Sequence, residues 1–336
     1  MATAWIAIVD SFRRRVVAGS YISPRELIVQ FDGLVLLSYG GPNKPDDVMP
    51  FLRNATGGRG VPDERLEHVA QHYFLFGGKS PINALNADLA HSLRTELTRR
   101  GVNIPLVIGN RNWTPYVTDA LSTLYDAGAR NVLAIPTSAY HSYSSSIQYQ
   151  EDIDRALGEL TSRGITDLSV TKAAPYYDRP AFASANARAI REAMGDAPAR
   201  IAFVTHSIPL SMEESSGTPS YRQQHMDVIA AILEQIPAPT SWDLVYCSRS
   251  GSPRVPWLEP DINDYLESSE PERTVIAPIG FISDHMEVAY DLDTQARATC
   301  ERLGIQMVRS ATVGTDPAFI SLLADIVTSQ ERISHD

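Results

Sequence analysis

Cysteine is almost missing from this chain of 336 residues, which contains only Cys247 and Cys300. Two thiols exclude a disulfide framework and a four-thiolate metal site within one chain, and they favour a reducing, cytoplasmic setting. Long apolar runs are also missing, since no segment approaches the ~20 residues of a membrane span. The net charge is −11, whereas nucleic-acid binding needs clustered positive charge. We therefore expect a cytoplasmic protein with no nucleic-acid partner and no stable insertion into a membrane.

The N-terminal stretch "MATAWIAIVDSFRRRVV" carries a short apolar run before its arginines. A secretory signal has the opposite order, with its positive charges first. We expect residues 1–29 to form an extension that the function of the protein does not need.

Short apolar runs alternate with longer helical patterns along the rest of the chain, as in βαβ units and a mostly parallel sheet. The runs also repeat: "LVLLSYGGP" matches "IAFVTHSIP", "LVIGNRNWTP" matches "LVYCSRSGSP", and "NVLAIPTSAY" resembles "TVIAPIGFIS". The repeat predicts an α/β protein of two similar Rossmann-like halves, each doubly wound around a parallel four-stranded sheet and facing a common cleft. We assign residues 30–175 and 176–336 to the two halves, and expect the C-terminal helix to pack back on the first.

His206 lies where the β-branched and aromatic run "RIAFVTHSIP" stops at a proline turn. A single histidine at a strand end is more often a structural residue than a reactive one. The repeat, however, places Tyr39 at the equivalent strand end, and a phenol is another metal ligand or proton carrier. Two such residues at one cleft favour a chemical role for His206.

The stretch "GFISDHMEVAYDLDTQAR" follows the third repeated run of the second half. Asp284 and Glu287 fit a capping box that opens a helix, which would give Glu287 a purely structural role. In such a helix, Glu287, Asp291 and Gln295 lie four residues apart and form a polar column on one face. A solvated surface explains such a column less well at the presumed cleft. We place His285 on another face of this helix and interpret it as structural.

A histidine and a carboxylate across a cleft suit two tasks: accepting protons near neutral pH and holding a borderline metal such as Fe(II) weakly. Two ligands and a phenol are too few for a permanent metal cage. His68 and His72 are four residues apart in "HVAQH", but the stretch lacks the glutamate of an HExxH motif and a third ligand nearby. We assign these two histidines a solvated or packing role.

Seven motifs are spread over nearly the whole chain, from about Leu34 to Ile326. They are "LLSYGGP", "HYFLFGGKSPIN", "GNRNWTP", "TSAYHSYSSSIQY", "THSIP", "VPWLEPDI" and "GFISDHMEVAYDLD". Together they make the sequence resemble the ferrochelatase family. Within the family the chain is most similar to the actinobacterial enzymes that insert iron into coproporphyrin III. Tyr39 supports that branch, because enzymes acting on protoporphyrin IX commonly have a different residue there. The resemblance implies a type II chelatase fold, Fe(II) as a substrate and no organic cofactor.

The resemblance also implies roles for single residues. His206 matches the catalytic histidine of the family and Glu287 its catalytic acid, and the two take up pyrrole protons and guide Fe(II) into the ring. Tyr39 matches a residue on the opposite face of the porphyrin that binds iron in the product. Asp291 matches an outer acid that feeds metal or protons, whereas Gln295 replaces a glutamate common in relatives. The implied metal-binding set is His206, Glu287, Tyr39 and Asp291.

The porphyrin must bend to expose its nitrogen lone pairs, and contacts away from the ring centre supply the binding energy for that strain. Coproporphyrin carries four propionates, which basic and hydroxyl groups bind. The implied substrate-binding residues, besides Tyr39, are Arg59, Ser80, Ser142, Tyr143, Ser144 and Trp257. Two alternatives are open: Trp257 packs the core, and Arg111 has a structural role like that of its repeat partner Arg249.

The sequence departs from the family pattern at two positions. Relatives in this group often bind a [2Fe–2S] cluster through four cysteines. Here Ser146 stands at the first of those positions and the C-terminal "QERISHD" has no cysteine, so we expect no such cluster. Gly57 replaces an arginine that would contact a propionate.

We expect a monomeric metal chelatase, a lyase that inserts Fe(II) into coproporphyrin III for haem biosynthesis and contacts the next enzyme of that pathway transiently. The same chemistry on protoporphyrin IX is a close alternative. A second alternative is a tetrapyrrole- or haem-binding protein without catalysis, which the presence of both His206 and Glu287 disfavours. A two-lobed sugar or ion receptor is least favoured, since it would normally carry an export signal.

Overall fold

Two parallel β-sheets of four strands each organise the molecule. The computed structural model describes residues 31–57, 60–250, 254–270 and 272–329. The predicted extension 1–29 and the predicted substrate ligand Arg59 lie outside the described residues.

The two sheets share one strand order, β2-β1-β3-β4 in the first and β6-β5-β7-β8 in the second, with every neighbouring pair parallel. The first sheet contains β1 Gly33–Ser38, β2 Leu106–Asn110, β3 Asn131–Pro136 and β4 Ser169–Lys172. The second contains β5 Arg200–His206, β6 Trp242–Cys247, β7 Thr274–Ala277 and β8 Met307–Arg309. The equal order confirms the predicted repeat, since β1, β2 and β3 correspond to β5, β6 and β7.

Helices pack on these sheets. In the first half they are α1 Val48–Ala55, α2 Asp63–Leu75, α3 Ile82–Arg99, α4 Val117–Asp126 and α5 Gln148–Ser162. In the second half they are α6 Pro180–Met194, α7 Leu210–Glu214, α8 Tyr221–Leu233, α9 Ile262–Glu267, α10 Met286–Tyr290, α11 Arg297–Leu303 and α12 Pro317–Thr328. A 3-10 turn covers Pro45–Asp47, and π-helical segments cover Tyr143–Ile147 and Asp291–Ala296. Within the described ranges, no helix has both the length and the apolar composition that crossing a bilayer requires.

The central strands are apolar on both faces. Every residue of β1 is buried, as are six of the seven residues of β5. In β1, Leu34 and Leu36 join one apolar cluster, whereas Val35 and Leu37 join another beneath α4 and α5. Helix-covered parallel strands read as continuous apolar runs for this reason, since neither face meets water.

One apolar core runs through both halves of the protein. It contains Leu36 of β1, Phe203 of β5 and Phe319 of α12. The C-terminal helix α12 packs on α3 of the first sheet and on α6. Arg100, directly after α3, forms an ion pair with Asp325 of α12 at 2.5 Å. The two sheets are therefore joined by shared packing as well as by the chain.

Candidate active site

A cavity of about 230 Å³ lies at the carboxyl ends of strands from both sheets. Tyr39 directly follows β1, His206 ends β5, and Glu287 lies in α10 beyond β7; all three line this inner cavity. Thr137 and Ser144, which follow β3, line it from the first half. Parallel α/β sheets bind ligands at this edge. The structure thus brings together the three residues that the sequence places at a common cleft.

One ring nitrogen of His206 is hydrogen-bonded to the backbone, and the other faces Glu287 in the cavity. Its Nδ1 lies 2.5 Å from the carbonyl oxygen of Ser207, so a neutral imidazole donates its proton there and retains Nε2 as an acceptor. This Nε2 lies 3.7 Å from Oε2 of Glu287. The His206 and Glu287 side chains are 32% and 38% exposed, so a ligand in the cavity has access to both.

The His206 and Glu287 side chains shift the pKa values of each other in opposite directions. Burial lowers the pKa of His206, but Glu287 and the Ser207 carbonyl outweigh that effect, and the pKa is raised above its ordinary value. Burial raises the pKa of Glu287, whereas His206 and His285 lower it, and its net shift is downward. The pair therefore favours an imidazolium beside a carboxylate, which is the state that follows proton uptake by His206.

A buried polar network holds the strand end that carries His206. Thr205 bonds Nε2 of His225 and the hydroxyl of Tyr221, both at 2.8 Å. The Tyr221 hydroxyl also donates to the carbonyl oxygen of His206 at 3.2 Å. His225 stacks on Tyr140 with ring centroids 3.7 Å apart, and burial lowers its pKa to about 3. Sequence reasoning missed this network, because His225 occupies a buried position in an ordinary apolar helix pattern.

Gly280 lets the loop after β7 approach β5 closely. A Cβ atom at this position would lie 2.2 Å from Oγ1 of Thr205, so any side chain would displace one of the two segments. The Gly280 N–H donates to the carbonyl oxygen of Val204 at 3.1 Å. This approach sets the path of the chain toward Glu287 and hence its separation from His206.

The helix that carries Glu287 begins later than predicted. α10 starts at Met286, with His285 in an extended conformation before it and no side-chain cap. The capping-box prediction is therefore wrong: Asp284 instead forms an ion pair with Arg309 of β8 at 2.6 Å. The predicted place of His285 on another face of the helix is also wrong, since this residue precedes the helix and lines the inner cavity with Glu287.

The predicted polar column is divided between two cavities. After Tyr290 the chain continues as the π-helical segment, whose wider turn changes the direction of the side chains that follow. Glu287 lines the inner cavity, whereas Asp291 and Gln295 line a rear cavity of about 310 Å³. Ser248 donates to Oδ2 of Asp291 at 2.5 Å, and burial raises the pKa of Asp291 to about 6.

His68 and His72 line the rear cavity from α2. The His72 ring stacks on that of Tyr290, with centroids 3.7 Å apart, while His68 is exposed. His72 therefore packs the first half against the start of the π-helical segment. Within the part of the chain that the structure describes, no three His, Cys, Asp or Glu side chains are grouped so as to hold a metal ion.

Tyr39 connects the inner cavity to a larger outer cavity of about 900 Å³. Arg111 and Gln148 also line both spaces. The Tyr39 ring packs edge-on against Phe51, with centroids 6.1 Å apart. Ligand sites usually offer ~300 to 1,000 Å³, so a ligand too large for the inner cavity would extend past Tyr39 into the outer one.

The predicted hydroxyl ligands belong to one turn, residues 142–147, which we call the hydroxyl turn. Ser142 is fully buried and caps its N-terminal end, and its Oγ lies 3.2 Å from that of Ser144. Both serines line the inner cavity. Tyr143 lines the outer cavity, where its hydroxyl donates to Glu151 at 3.3 Å.

Ser80 and Trp257 are placed by backbone contacts. The Ser80 N–H donates to the carbonyl oxygen of Pro42 at 2.9 Å, and the serine is buried. Trp257 forms a short antiparallel bridge with Pro209, which braces the turn after His206. Its indole N–H is buried and has no hydrogen-bond partner among the described residues. Substrate contacts by Ser80 and Trp257 stay predictions.

The two arginines that the repeat relates have different surroundings. Arg111 forms an ion pair with buried Asp152 at 2.6 Å, and its guanidinium lies 4.1 Å above the ring of Tyr149. Its Nη2 is buried and has no hydrogen-bond partner within the described ranges. Arg249 lines the rear cavity instead, 4.0 Å from Glu259.

Ser146 occupies the place where the resemblance implies a cluster cysteine in relatives. Its Oγ accepts a hydrogen bond from Nζ of Lys172 at 2.8 Å, and a hydroxyl bound to an ammonium does not supply a thiolate ligand. Cys247 and Cys300 are buried in β6 and α11. The residues present therefore do not fit a [2Fe–2S] cluster held by four cysteines.

Comparisons with other proteins agree with this arrangement. A family model described as Ferrochelatase matches residues 31–331. A coproporphyrin III ferrochelatase from Streptomyces coelicolor is 46% identical over 317 residues, which cover 88% of this chain and 84% of that protein. A coproporphyrin III ferrochelatase from Mycolicibacterium smegmatis is 42% identical over 308 residues, which cover 89% of each chain.

Solved structures share the fold at low identity. SirB from Bacillus subtilis with Fe3+ has a TM-score of 0.55 at 12% identity, and the match covers 90% of this chain and 99% of that one. DR2241 from Deinococcus radiodurans, described as structurally similar to chelatases, has a TM-score of 0.53 at 14% identity and matches over 89% and 55% of the two chains. These structures confirm the predicted chelatase-like α/β fold. The family match and the sequence identities together show that this chain belongs to the ferrochelatase family, whose members are metal chelatases of the lyase class.

Proposed function

We propose that this chain inserts Fe(II) into coproporphyrin III and releases iron coproporphyrin for haem biosynthesis. The observation that carries the proposal is the pair His206 and Glu287, 3.7 Å apart at a cavity that Tyr39 also lines. The two relatives described above have coproporphyrin III in their names. Those names, together with Tyr39, support coproporphyrin III rather than protoporphyrin IX as the substrate.

Proton removal is the first chemical requirement, because Fe(II) replaces two pyrrole protons. Nε2 of His206 is suited to accept a proton, since Nδ1 is bound to the Ser207 carbonyl. Glu287 then stabilises the imidazolium, which is the effect that raises the pKa of His206 against the cost of burial. The donor atoms of His206, Glu287 and Tyr39 suit a metal ion that is bound weakly and passed on.

Asp291 is suited to supply protons or Fe(II) to His206 and Glu287 from the rear cavity. It lies one helical turn beyond Glu287, faces the rear cavity and is held by the Ser248 hydroxyl. In the proposed reaction, Asp291 relays protons or Fe(II) between the rear cavity and Glu287.

The cavities also suit the size and charge of coproporphyrin. The macrocycle needs more room than the inner cavity, so we place it across the inner and outer cavities, past Tyr39. Arg111 lines both cavities, and its buried Nη2 lacks a partner among the described residues, so we assign Arg111 to a propionate of the porphyrin. Ser144, whose carbonyl oxygen accepts a hydrogen bond from Nη1 of Arg111 at 3.3 Å, offers a hydroxyl close by.

Anaerobic Fe(II) insertion, followed by absorbance with coproporphyrin III and protoporphyrin IX offered separately, tests the proposal. We expect turnover of coproporphyrin III that His206→Ala abolishes and that His91→Ala, a matched change of an exposed histidine on α3, leaves intact. Faster turnover of protoporphyrin IX would reassign the substrate. Tight porphyrin binding without insertion would instead identify a binding protein.

A further inference from the structure

Lys172 is the last residue of β4, at the same carboxyl edge of the first sheet as the inner cavity. The chain has only three lysines, and Lys44 and Lys79 are exposed, whereas Lys172 is partly buried. Its ammonium donates to the carbonyl oxygen of Ser146 at 3.1 Å and to the Ser146 hydroxyl at 2.8 Å. No carboxylate among the described residues lies within 4.0 Å of it. Burial lowers the pKa of Lys172, as expected for an ammonium without an acidic partner.

The hydroxyl turn that Lys172 contacts is π-helical. Two of its backbone N–H groups, those of Ser146 and Ile147, share the carbonyl oxygen of Ser142 as acceptor, at 2.9 and 3.4 Å. Much of its shape comes from side chains: Oγ of Ser142 accepts the Ser145 N–H at 3.2 Å, and the Ser145 hydroxyl donates to the carbonyl oxygen of Tyr140 at 2.8 Å. The two bonds from Lys172 fix the turn at Ser146, on the side away from the inner cavity.

The other side of the hydroxyl turn borders the inner cavity. Ser142, Ser144 and Ser145 line the inner cavity, while Ser146 is buried behind them. Asp152, in the helix that follows the turn, is already paired with Arg111 at 2.6 Å and with Arg155 at 2.8 Å. The positive charge of Lys172 is thus left without a protein counter-ion, and an anionic group of a ligand at the turn would supply one.

We propose that Lys172 is a positioning residue that holds the hydroxyl turn in the form that binds one carboxylate of the substrate. This inference rests on the proposed function, since the carboxylate is a propionate of coproporphyrin. Lys172 acts through Ser146 and its neighbours and does not touch the reacting nitrogens. Its removal should therefore weaken porphyrin binding and leave the rate of insertion by bound complexes nearly unchanged.

The test compares Lys172→Met, Lys172→Arg and Ser146→Ala with Lys44→Met, a matched change of an exposed lysine. The Kd of metal-free coproporphyrin III is measured by porphyrin fluorescence, and KM and kcat by Fe(II) insertion. We expect Lys172→Met to raise Kd and KM about tenfold, with kcat within about twofold. Lys172→Arg should restore most of the affinity, Ser146→Ala should have an intermediate effect, and Lys44→Met should behave as wild type.

Thermal unfolding of each variant separates loss of binding from loss of fold. Equal Kd values for wild type, Lys172→Met and Lys44→Met would overturn the inference, as would a fall in kcat without a change in Kd. Because Kd is measured without iron, wild type that binds coproporphyrin III but inserts no Fe(II) would overturn the proposed function alone. Wild type that fails to bind coproporphyrin III would overturn both.

Discussion

Arg309 reaches from the edge strand β8 to Asp284, 2.6 Å away, and its Nε lies 3.4 Å from Asp293. These two acids are the first and last residues of the ten-residue segment 284–293, which carries Glu287 and Asp291. The segment passes from a short α-helix to a π-helical segment. One guanidinium therefore ties both ends of the segment that carries Glu287 to the second sheet.

Replacement of Arg309 should affect the rate of insertion more than porphyrin binding. We expect Arg309→Met to lower kcat at least about tenfold, because small displacements of catalytic groups are costly, while KM for the porphyrin changes little. Arg309→Lys keeps the charge but not the forked geometry, so its kcat should lie between those of wild type and Arg309→Met. Steady-state insertion kinetics measure both constants, and an unchanged kcat in Arg309→Met would contradict this role.

Glu287→Gln should move the pH dependence of insertion as well as its rate. Burial lowers the pKa of His206, whereas Glu287, the Ser207 carbonyl and Asp291 raise it, so without the Glu287 carboxylate the pKa of His206 falls. His206 must be unprotonated to accept a pyrrole proton, and activity is therefore lost as the pH falls through its pKa. The acidic limb of the kcat/KM profile should shift to lower pH in the variant, and maximal kcat should drop roughly a hundredfold. Glu259→Gln, a change of an exposed glutamate, serves as the control. An acidic limb that does not shift in Glu287→Gln would show that Glu287 does not raise the pKa of His206.

Stability should fall in mild acid because of His225. Its pKa is about 3 in the folded protein and about 6.5 in an unfolded chain. The unfolded state thus binds more protons between these values, so the free energy of unfolding decreases as the pH drops below about 6.5. The His225 contribution amounts to roughly 2 kcal/mol between pH 7.5 and 5. Urea unfolding of wild type and His225→Gln at both pH values measures this contribution. The free energy of unfolding should fall less on acidification in His225→Gln than in wild type, and in His91→Ala it should fall as much as in wild type.

Gly280→Ala should destabilise the protein, because the added Cβ would lie 2.2 Å from Oγ1 of Thr205. We expect a loss of about 1–3 kcal/mol in the free energy of unfolding and a lower kcat, since the clash displaces β5 or the loop toward Glu287. Gly158→Ala is the matched control: it lies inside α5, meets nothing within 4 Å and should stabilise by about 0.5–1 kcal/mol. Equal free energies of unfolding for the two variants would show that the chain accommodates the added Cβ beside Thr205 without cost.

Sequence patterns predicted the parts of the site that local structure determines. His206 and Tyr39 occupy related places in the two halves, and parallel strands bring their carboxyl ends to one edge, so both line the inner cavity. Glu287 follows β7 by the same logic. The repeat was sufficient here because strand order and strand direction fix position without any knowledge of side-chain contacts.

Other features depend on contacts distant in sequence, and local patterns do not contain them. Asp284 has the spacing of a cap but binds Arg309, which lies 25 residues further along the chain, so the helix starts later and His285 enters the cavity. The π-helical segment then turns Asp291 to the rear cavity. Lys172 and Ser146 likewise meet only because β4 runs behind the hydroxyl turn.

The apolar core shared by the two sheets has a mechanical consequence. Rotation of one half against the other would separate Leu36, Phe203 and Phe319, which belong to the same close-packed cluster, and would pull α12 from α3 or α6. Close-packed interiors yield little to such forces. The two halves that form the walls of the inner cavity therefore resist a hinge-like opening. When a ligand fits tightly between them, the ligand deforms more readily than the protein. In the proposed reaction, a stiff cleft of this kind lets binding energy bend the flat macrocycle.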